Sequence, residues 1–75
     1  MQIYYKYEKM EELRKQQGLT QTQVAEVLGM TQQQYQLYES GKREILLHLM
    51  IKLADFYGVS MDYIVGREAD QMAAR

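Results

Sequence analysis

Two copies of one helix-start signal lie close together and constrain the fold more than any other feature of this sequence. Thr20 is followed three residues later by Gln23, and Thr31 is followed in the same way by Gln34. In such a capping box the threonine hydroxyl accepts a bond from a first-turn amide, and the glutamine bonds back to the threonine amide. Gly29 lies between the two boxes, where a left-handed residue ends a helix. The stretch 20–41 therefore predicts a helix, a tight turn and a second helix.

The second of these helices, predicted over 32–39, has an uncharged polar face. Tyr35, Tyr38 and Glu39 share its inner side by helical spacing. The opposite side carries three amides and one leucine: Gln32, Gln33, Gln36 and Leu37. A glutamine amide can bond to both the N6 and N7 atoms of adenine, and a leucine can contact a thymine methyl. The face is thus typical of base recognition in the major groove, and the alternative is a polar surface that reads nothing.

One charged pair is predicted to connect the N-terminal helix to this stretch. Arg14 follows Leu13 at the edge of the apolar side of a helix expected over about residues 6–17. A buried arginine needs a carboxylate partner. Glu39, on the inner side of the second helix, is the candidate. We therefore expect a partly buried bidentate pair between Arg14 and Glu39.

A later helix, predicted over 46–57, has the widest apolar surface in the chain. At 100° per residue its apolar positions cover about 220°, which exceeds the ~100° that faces a core in a surface helix. Four residues are expected at the centre of this arc: Leu47, Met50, Ile51 and Ala54. Leu49 and Phe56 are expected at its outer edge. Together with Leu46 they form a possible dimer interface; the alternative is that neighbouring helices and terminal segments cover the arc.

Length and composition limit the remaining possibilities. The 75 residues predict one domain over 1–66, ending in a short helix over 61–65, and a polar tail over 67–75. The chain contains no cysteine, and His48 is its one histidine, so we expect no metal site and no cofactor. No apolar run approaches the ~18 residues of a membrane span, which favours a cytoplasmic protein. We find no phosphate-binding loop and no nucleophile beside a base, so the sequence predicts neither an enzyme nor a small-molecule site.

Longer stretches of the sequence resemble a known family. The runs LRKQQGLTQTQVAEVLGMTQQQYQLYESGKRE and IKLADFYGVSMDYIVG are similar to the Cro/repressor-type (XRE) helix-turn-helix regulators of bacteria and phages, over about residues 10–66. The pieces GLTQ, YESGKRE and LADFYGVSMDYIVG are the most specific. The resemblance implies an all-α, compact five-helix bundle like the DNA-binding domain of lambda repressor. It also implies a structural pair of Arg14 with Glu39 and a third helix that enters the major groove.

The resemblance assigns DNA contacts residue by residue. Base contacts are implied at Gln32, Gln33, Gln36 and Leu37. Phosphate contacts are implied at Gln21, Thr31, Lys42 and Arg43. The basic pair 42–43 follows the reading helix directly, where it would neutralise phosphates without reading sequence. The net charge of −1 argues against indiscriminate binding to nucleic acid.

The sequence therefore predicts sequence-specific binding of double-stranded DNA by a small transcriptional regulator, with repressor as the expected type. Symmetric helix-turn-helix dimers place their reading helices about 34–36 Å apart, so we expect a homodimer on an inverted-repeat operator. The alternative is a protein-interaction module, antitoxin-like or an adaptor, that uses the apolar surface of helix 46–57. The acidic balance of charge and the apolar residues Leu46, Leu49 and Phe56 favour the module. The residues that favour DNA are Gln32, Gln33, Lys42 and Arg43.

Overall fold

A computed structural model describes residues 6–67, and all regular secondary structure in this part of the chain is α-helical. It contains five helices: α1 (Glu8–Gln16), α2 (Gln21–Leu28), α3 (Gln32–Ser40), α4 (Leu47–Tyr57) and α5 (Met61–Val65). The Cα radius of gyration is 12.4 Å. The predicted all-α class and five-helix bundle are confirmed. The predicted tail lies outside the described residues, apart from Arg67.

Both capping boxes form. The Gln23 amide donates to the Thr20 hydroxyl at 3.1 Å, and the Thr20 amide donates to the Gln23 side-chain oxygen at 2.8 Å. At the start of α3, Thr31 and Gln34 exchange the same two bonds, each 3.2 Å long. Gly29 has φ +75° and ends α2 in the left-handed conformation. Because an L side chain rarely adopts that conformation, glycine suits the turn that brings α3 across α2.

Each helix contributes at least one fully buried side chain to a single core: Met10, Val24, Tyr35, Leu53 and Ile64. The α2 and α3 helices pack against each other, while α5 packs on α1 and α4. Ala25, on the inner face of α2, is also buried. Its small side chain permits the close crossing that a helix-turn-helix requires. The core thus holds the outer face of α3 at a fixed angle to α2.

The rotation of α4 differs from the predicted one. Leu47 and Ile51 were expected at the centre of the apolar arc, but Leu47 is 68% exposed and Ile51 is 43% exposed, so the centre of the arc does not face the core. Leu49 is only 7% exposed, so its placement at the outer edge, available to a second subunit, is wrong. Leu46 has an extended backbone (φ −70°, ψ 149°), and α4 begins only at Leu47. Because the apolar arc exceeds the contact with the core, its centre did not have to face inward.

Gly41 lies at a close approach between the segment before α1 and the end of α3. It is buried, ends α3 with φ +85°, and lies against Lys6. A Cβ added to this glycine would lie 2.6 Å from the Lys6 Cβ and 2.9 Å from its backbone nitrogen. Both the backbone conformation and the lack of space therefore require glycine here. The chain entering α1 is in direct contact with the end of α3.

Candidate nucleic-acid interface

The outer face of α3 lies opposite its core residues. Tyr35, Tyr38 and Glu39 are buried, as their helical spacing predicts. Gln33 is exposed, whereas Gln32, Gln36 and Leu37 are partly exposed. The structure therefore brings three of the four predicted base-contacting side chains, Gln33, Gln36 and Leu37, to the side of the helix away from its buried residues. Gln32, seven residues before Glu39, lies at the edge of that side, and its amide is bonded to Gln21. Because the side chains on this face carry no formal charge, their amides can form hydrogen bonds but do not attract phosphates electrostatically.

Basic side chains flank the carboxyl end of α3. The amides of Lys42 and Arg43 both donate to the Leu37 carbonyl, at 3.0 and 3.1 Å, so the loop folds back on the helix. Both side chains are exposed, and neither forms an ion pair within residues 6–67. Thr31 is exposed at the opposite end of α3, and Gln21 is partly exposed at the start of α2. Exposed cations beside an uncharged amide face can bind a polyanion backbone.

Glu39 anchors α3 from the inside. It is 4% exposed, and Arg14 donates to it from Nε to Oε2 at 2.8 Å and from Nη2 to Oε1 at 3.1 Å. The Tyr35 hydroxyl donates to Oε2 at 2.8 Å, and the Gln21 amide donates to Oε1 at 2.7 Å. The structure thus brings Arg14 and Glu39 together in the expected bidentate pair. The third guanidinium nitrogen of Arg14 donates to the Leu19 carbonyl at 2.9 Å, which leaves the buried charges well paired.

The titration of this cluster follows from its contacts. Burial is the largest influence on the pKa of Glu39 and would raise it, but hydrogen bonds from Arg14, Gln21 and Tyr35 together lower that pKa below its usual 4.5. The hydrogen bond to Glu39 raises the pKa of Arg14. Burial, followed by the nearby charge of Glu39, raises the pKa of Tyr35 far above its usual 10.0. At neutral pH Glu39 is therefore an anion that only accepts, while Arg14 and Tyr35 remain donors.

A side-chain bond joins this cluster to the outer face of α3. The Gln32 amide nitrogen donates to the Gln21 side-chain oxygen at 2.6 Å, and Gln21 in turn donates to Glu39. The sequence did not predict this connection. The capping box places Gln21 at the first position of α2, but no spacing rule links it to a carboxylate on α3. The fold brings the three side chains together because α2 and α3 pack against each other.

Metal-binding clusters and membrane-spanning helices are both absent from residues 6–67. No group of His, Asp and Glu side chains there could hold a metal ion. No helix in this part of the chain combines the length and the apolar character needed to cross a bilayer.

The Tyr57 hydroxyl, which the sequence did not single out, is buried and lacks a hydrogen-bond partner within residues 6–67. Burial, together with the charge of Glu39, raises the pKa of Tyr57 to about 12.

Similar proteins share this domain. HTH-type transcriptional regulator AnsR of Bacillus subtilis is 33% identical over 67 residues, which are 89% of this chain and 58% of that protein. The uncharacterized HTH-type transcriptional regulator YqaE of the same organism is 36% identical over 64 residues, 85% of this chain and 55% of that protein. The chain thus spans little more than half the length of these relatives.

The fold is also similar to a solved structure. A crystal structure of a transcriptional regulator from Listeria innocua matches with a TM-score of 0.76 and 30% identity, covering 88% of this chain and 61% of that one. These similar proteins are named as regulators, so they do not support the alternative of an antitoxin-like or adaptor module. The helix-turn-helix family, whose members are DNA-binding proteins rather than enzymes, matches residues 10–64. This match covers most of the sequence, and the chain belongs to the XRE-type helix-turn-helix family of transcriptional regulators.

Proposed function

We propose that this chain binds double-stranded DNA sequence-specifically, with α3 in the major groove. The observation that carries the proposal is the uncharged outer face of α3, held outward by the buried Tyr35 and Glu39 on its other side. A solvated helix face usually mixes charges of both signs. Amides on a rigid helix instead match the donors and acceptors at the base edges of the major groove.

In this proposal the contacts divide into two groups. Bases are read by side chains on the outer face of α3: Gln32, Gln33, Gln36 and Leu37. Phosphates are bound by residues around it: Gln21, Thr31, Lys42 and Arg43. Gln21 keeps one amide hydrogen free after its bond to Glu39, so it can still donate to a phosphate. Phosphate contacts fix the register of the helix on the duplex, and base contacts supply the sequence preference.

We further propose that the chain works as a homodimer on an inverted-repeat operator. Several large apolar side chains are exposed in the described residues: Leu46, Leu47, Ile51, Phe56 and Met61. Of the predicted interface, Leu46 and Phe56 are available, whereas the buried Leu49 is not. Apolar patches on small domains commonly mark interfaces. A two-fold dimer would place both α3 helices in successive major grooves, which suits a repressor that covers its operator. Because its proposed partner is DNA, we propose a cytoplasmic location.

The test of DNA binding is selection from a random pool of duplexes, followed by a mobility-shift titration. We expect enrichment of an inverted repeat with half-sites one helical turn apart. Gln33→Ala should weaken binding to that repeat by about 1–3 kcal/mol and relax preference at one base position. A pool that remains unenriched would contradict the proposal.

Lys42→Ala separates backbone binding from base reading. The variant should weaken binding to all sequences alike and reduce the slope of log affinity against log salt by about 1. Lys52→Ala, which removes the same charge from the exposed side of α4, is the matched control and should leave affinity nearly unchanged. If Lys42→Ala changed the base preference, the assignment of Lys42 to phosphate would be wrong.

A further inference from the structure

An apolar groove lies beside the start of α1, between Tyr7, the segment that leads into α4, and α5. Its volume is about 480 Å³, which is within the range of pockets that hold drug-sized molecules, so it can accept more than one side chain. Leu46 and Met61 remain exposed at this groove, so residues 6–67 do not fill it. The apolar side chains that line it include Tyr7, Ile45, Leu46, Met50, Met61 and Val65.

Two carboxylates also line the groove. They belong to Glu44 and Asp62, and neither forms an ion pair within residues 6–67. An ionised carboxylate only accepts hydrogen bonds, and it repels other anions. A suitable occupant is therefore mostly apolar, carries no negative charge and offers hydrogen-bond donors.

The residues that directly precede Tyr7 have this composition. Residues 1–5, MQIYY, lie outside the part of the chain that the structure describes. Four of the five are apolar or aromatic, none is charged, and two are tyrosines, whose hydroxyls donate hydrogen bonds. Five extended residues reach at most about 18 Å. That reach exceeds the ~10–12 Å diameter of one helix, so the segment is long enough to cross the groove.

The backbone at the described end of this segment indicates which side chains would face the groove. Tyr7 is extended, with φ −106° and ψ 102°, and it lines the groove. Lys6 instead contacts Gly41 and donates to the Glu39 carbonyl at 3.4 Å. Successive side chains of an extended chain alternate in direction. Residues 3 and 5 therefore share the side of Tyr7, whereas residues 2 and 4 share the side of Lys6.

Other occupants fit the groove less well. The C-terminal residues 68–75 begin with two acids, Glu68 and Asp70, which the carboxylates of the groove would repel. A second copy of the chain would lose translational and rotational freedom on binding. Tyr5 is only two residues from the groove-lining Tyr7, so its effective concentration at the groove is high.

We propose that residues 1–5 pack into this groove of their own chain, with Ile3 and Tyr5 against its apolar lining. Gln2 and Tyr4 then face away from it. The segment becomes part of the folded domain, because it covers apolar surface that α4 and α5 leave open. Ile51 and Phe56 do not line the groove, so they stay available to the second chain of the proposed homodimer.

Nuclear Overhauser contacts to labelled methionine methyl groups test the placement in the full chain. Met50 and Met61 line the groove, whereas Met30, in the turn between α2 and α3, is an internal reference. We expect contacts from the Tyr5 ring to the Met50 and Met61 methyls and none to Met30. These contacts should disappear in Tyr5→Leu, and both methyl resonances should shift. Tyr4→Leu is the matched control and should leave the contacts and resonances as they were.

Thermal unfolding at low protein concentration tests the energetic contribution of the same side chains. Ile3→Ser combined with Tyr5→Ser should lower the unfolding midpoint by about 4 °C or more, because two apolar side chains leave the groove. Gln2→Ser combined with Tyr4→Ser changes the same number of residues on the other side of the segment and should leave the midpoint nearly unchanged. If the first variant does not fold, the contacts in the unaltered chain decide the proposal.

The outcomes separate this inference from its alternatives. Contacts of Tyr5 with Met50 and Met61 within one chain, together with a lower midpoint only for the first serine pair, support it. Absence of those contacts overturns it. A sample of labelled chains mixed with unlabelled ones identifies contacts between chains, and finding them there would place a second copy in the groove and also overturn it. The measurements use no DNA, so their failure would leave the proposed function standing, and failure of the DNA selection would leave this inference standing.

Discussion

The α3 and α4 helices both turn one face to the core, but different interactions hold them. On α3, Glu39 accepts bonds from Arg14, Tyr35 and Gln21, each of which works only in a narrow range of directions. On α4, the inner face is apolar and consists of Leu49, Met50, Leu53 and Ala54. Apolar burial has no preferred direction. The rotation of α3 is therefore fixed by hydrogen-bond geometry, whereas that of α4 is fixed by the fit of side-chain volumes.

The largest expected effect tests the polar side of this comparison. Glu39→Ala removes the partner of a nearly buried guanidinium and should lower the free energy of unfolding by about 4 kcal/mol. Urea unfolding at neutral pH measures it. Glu12→Ala is the matched control, because Glu12 pairs with Lys9 at an exposed site and should change stability by less than ~0.5 kcal/mol. Similar losses in both variants would show that the Glu39 cluster does not anchor α3.

Two alanine variants of α4 test the apolar side. Leu49→Ala should lower the free energy of unfolding by about 3 kcal/mol, because it leaves a cavity in the core. Leu47→Ala, two residues away on the exposed side, should change it by less than ~0.5 kcal/mol. Urea unfolding at low protein concentration measures both. A larger loss for Leu47→Ala would mean that α4 is rotated toward the orientation predicted from its hydrophobic periodicity.

Acid should weaken the contacts of Glu39 that hold α3, whereas the apolar contacts that hold α4 contain no group that titrates. Because the pKa of Glu39 is lower in the folded chain, its contribution to stability is fully present above the unfolded value near 4.5 and is lost as pH falls through the folded value. Protonation keeps the side chain in place, so the loss should be smaller than for Glu39→Ala. Urea midpoints from pH 7 to pH 3 measure the effect. Glu39→Gln should flatten this dependence, and an unchanged slope would contradict the assignment.

The smallest change in stability is expected at Tyr57, the last residue of α4, whose hydroxyl is a buried polar atom. Tyr57→Phe removes a buried hydroxyl that lacks a partner within residues 6–67, so stability should stay the same or rise by up to ~1 kcal/mol. Thermal unfolding is sensitive enough to detect the change. Tyr35→Phe is the contrast, since it deletes a bond to Glu39 and should destabilise. A loss in Tyr57→Phe equal to that in Tyr35→Phe would give Tyr57 an unrecognised partner.

The same contrast explains how far the sequence predicts this structure. Capping boxes are directional contacts between neighbours in sequence, so Thr20 and Thr31 mark their helices within a residue. The pairing of Arg14 with Glu39 could be expected because a buried charge has few acceptable partners. The rotation of α4 could not, because an apolar arc of about 220° fits the core in several ways. Nor could the contact of Gln21 with Glu39, which depends on how α2 and α3 cross.

The close contact between Gly41 and Lys6 also bears on the dynamics of two segments that are distant in the sequence. Because the Lys6 backbone lies where a Cβ of Gly41 would be, we expect the segment before α1 and the end of α3 to open together. We expect amide hydrogens at these two places to exchange with solvent together, as one unit of local unfolding. The loop of Lys42 and Arg43 follows directly, so we expect its order to depend in part on the contact between Gly41 and Lys6.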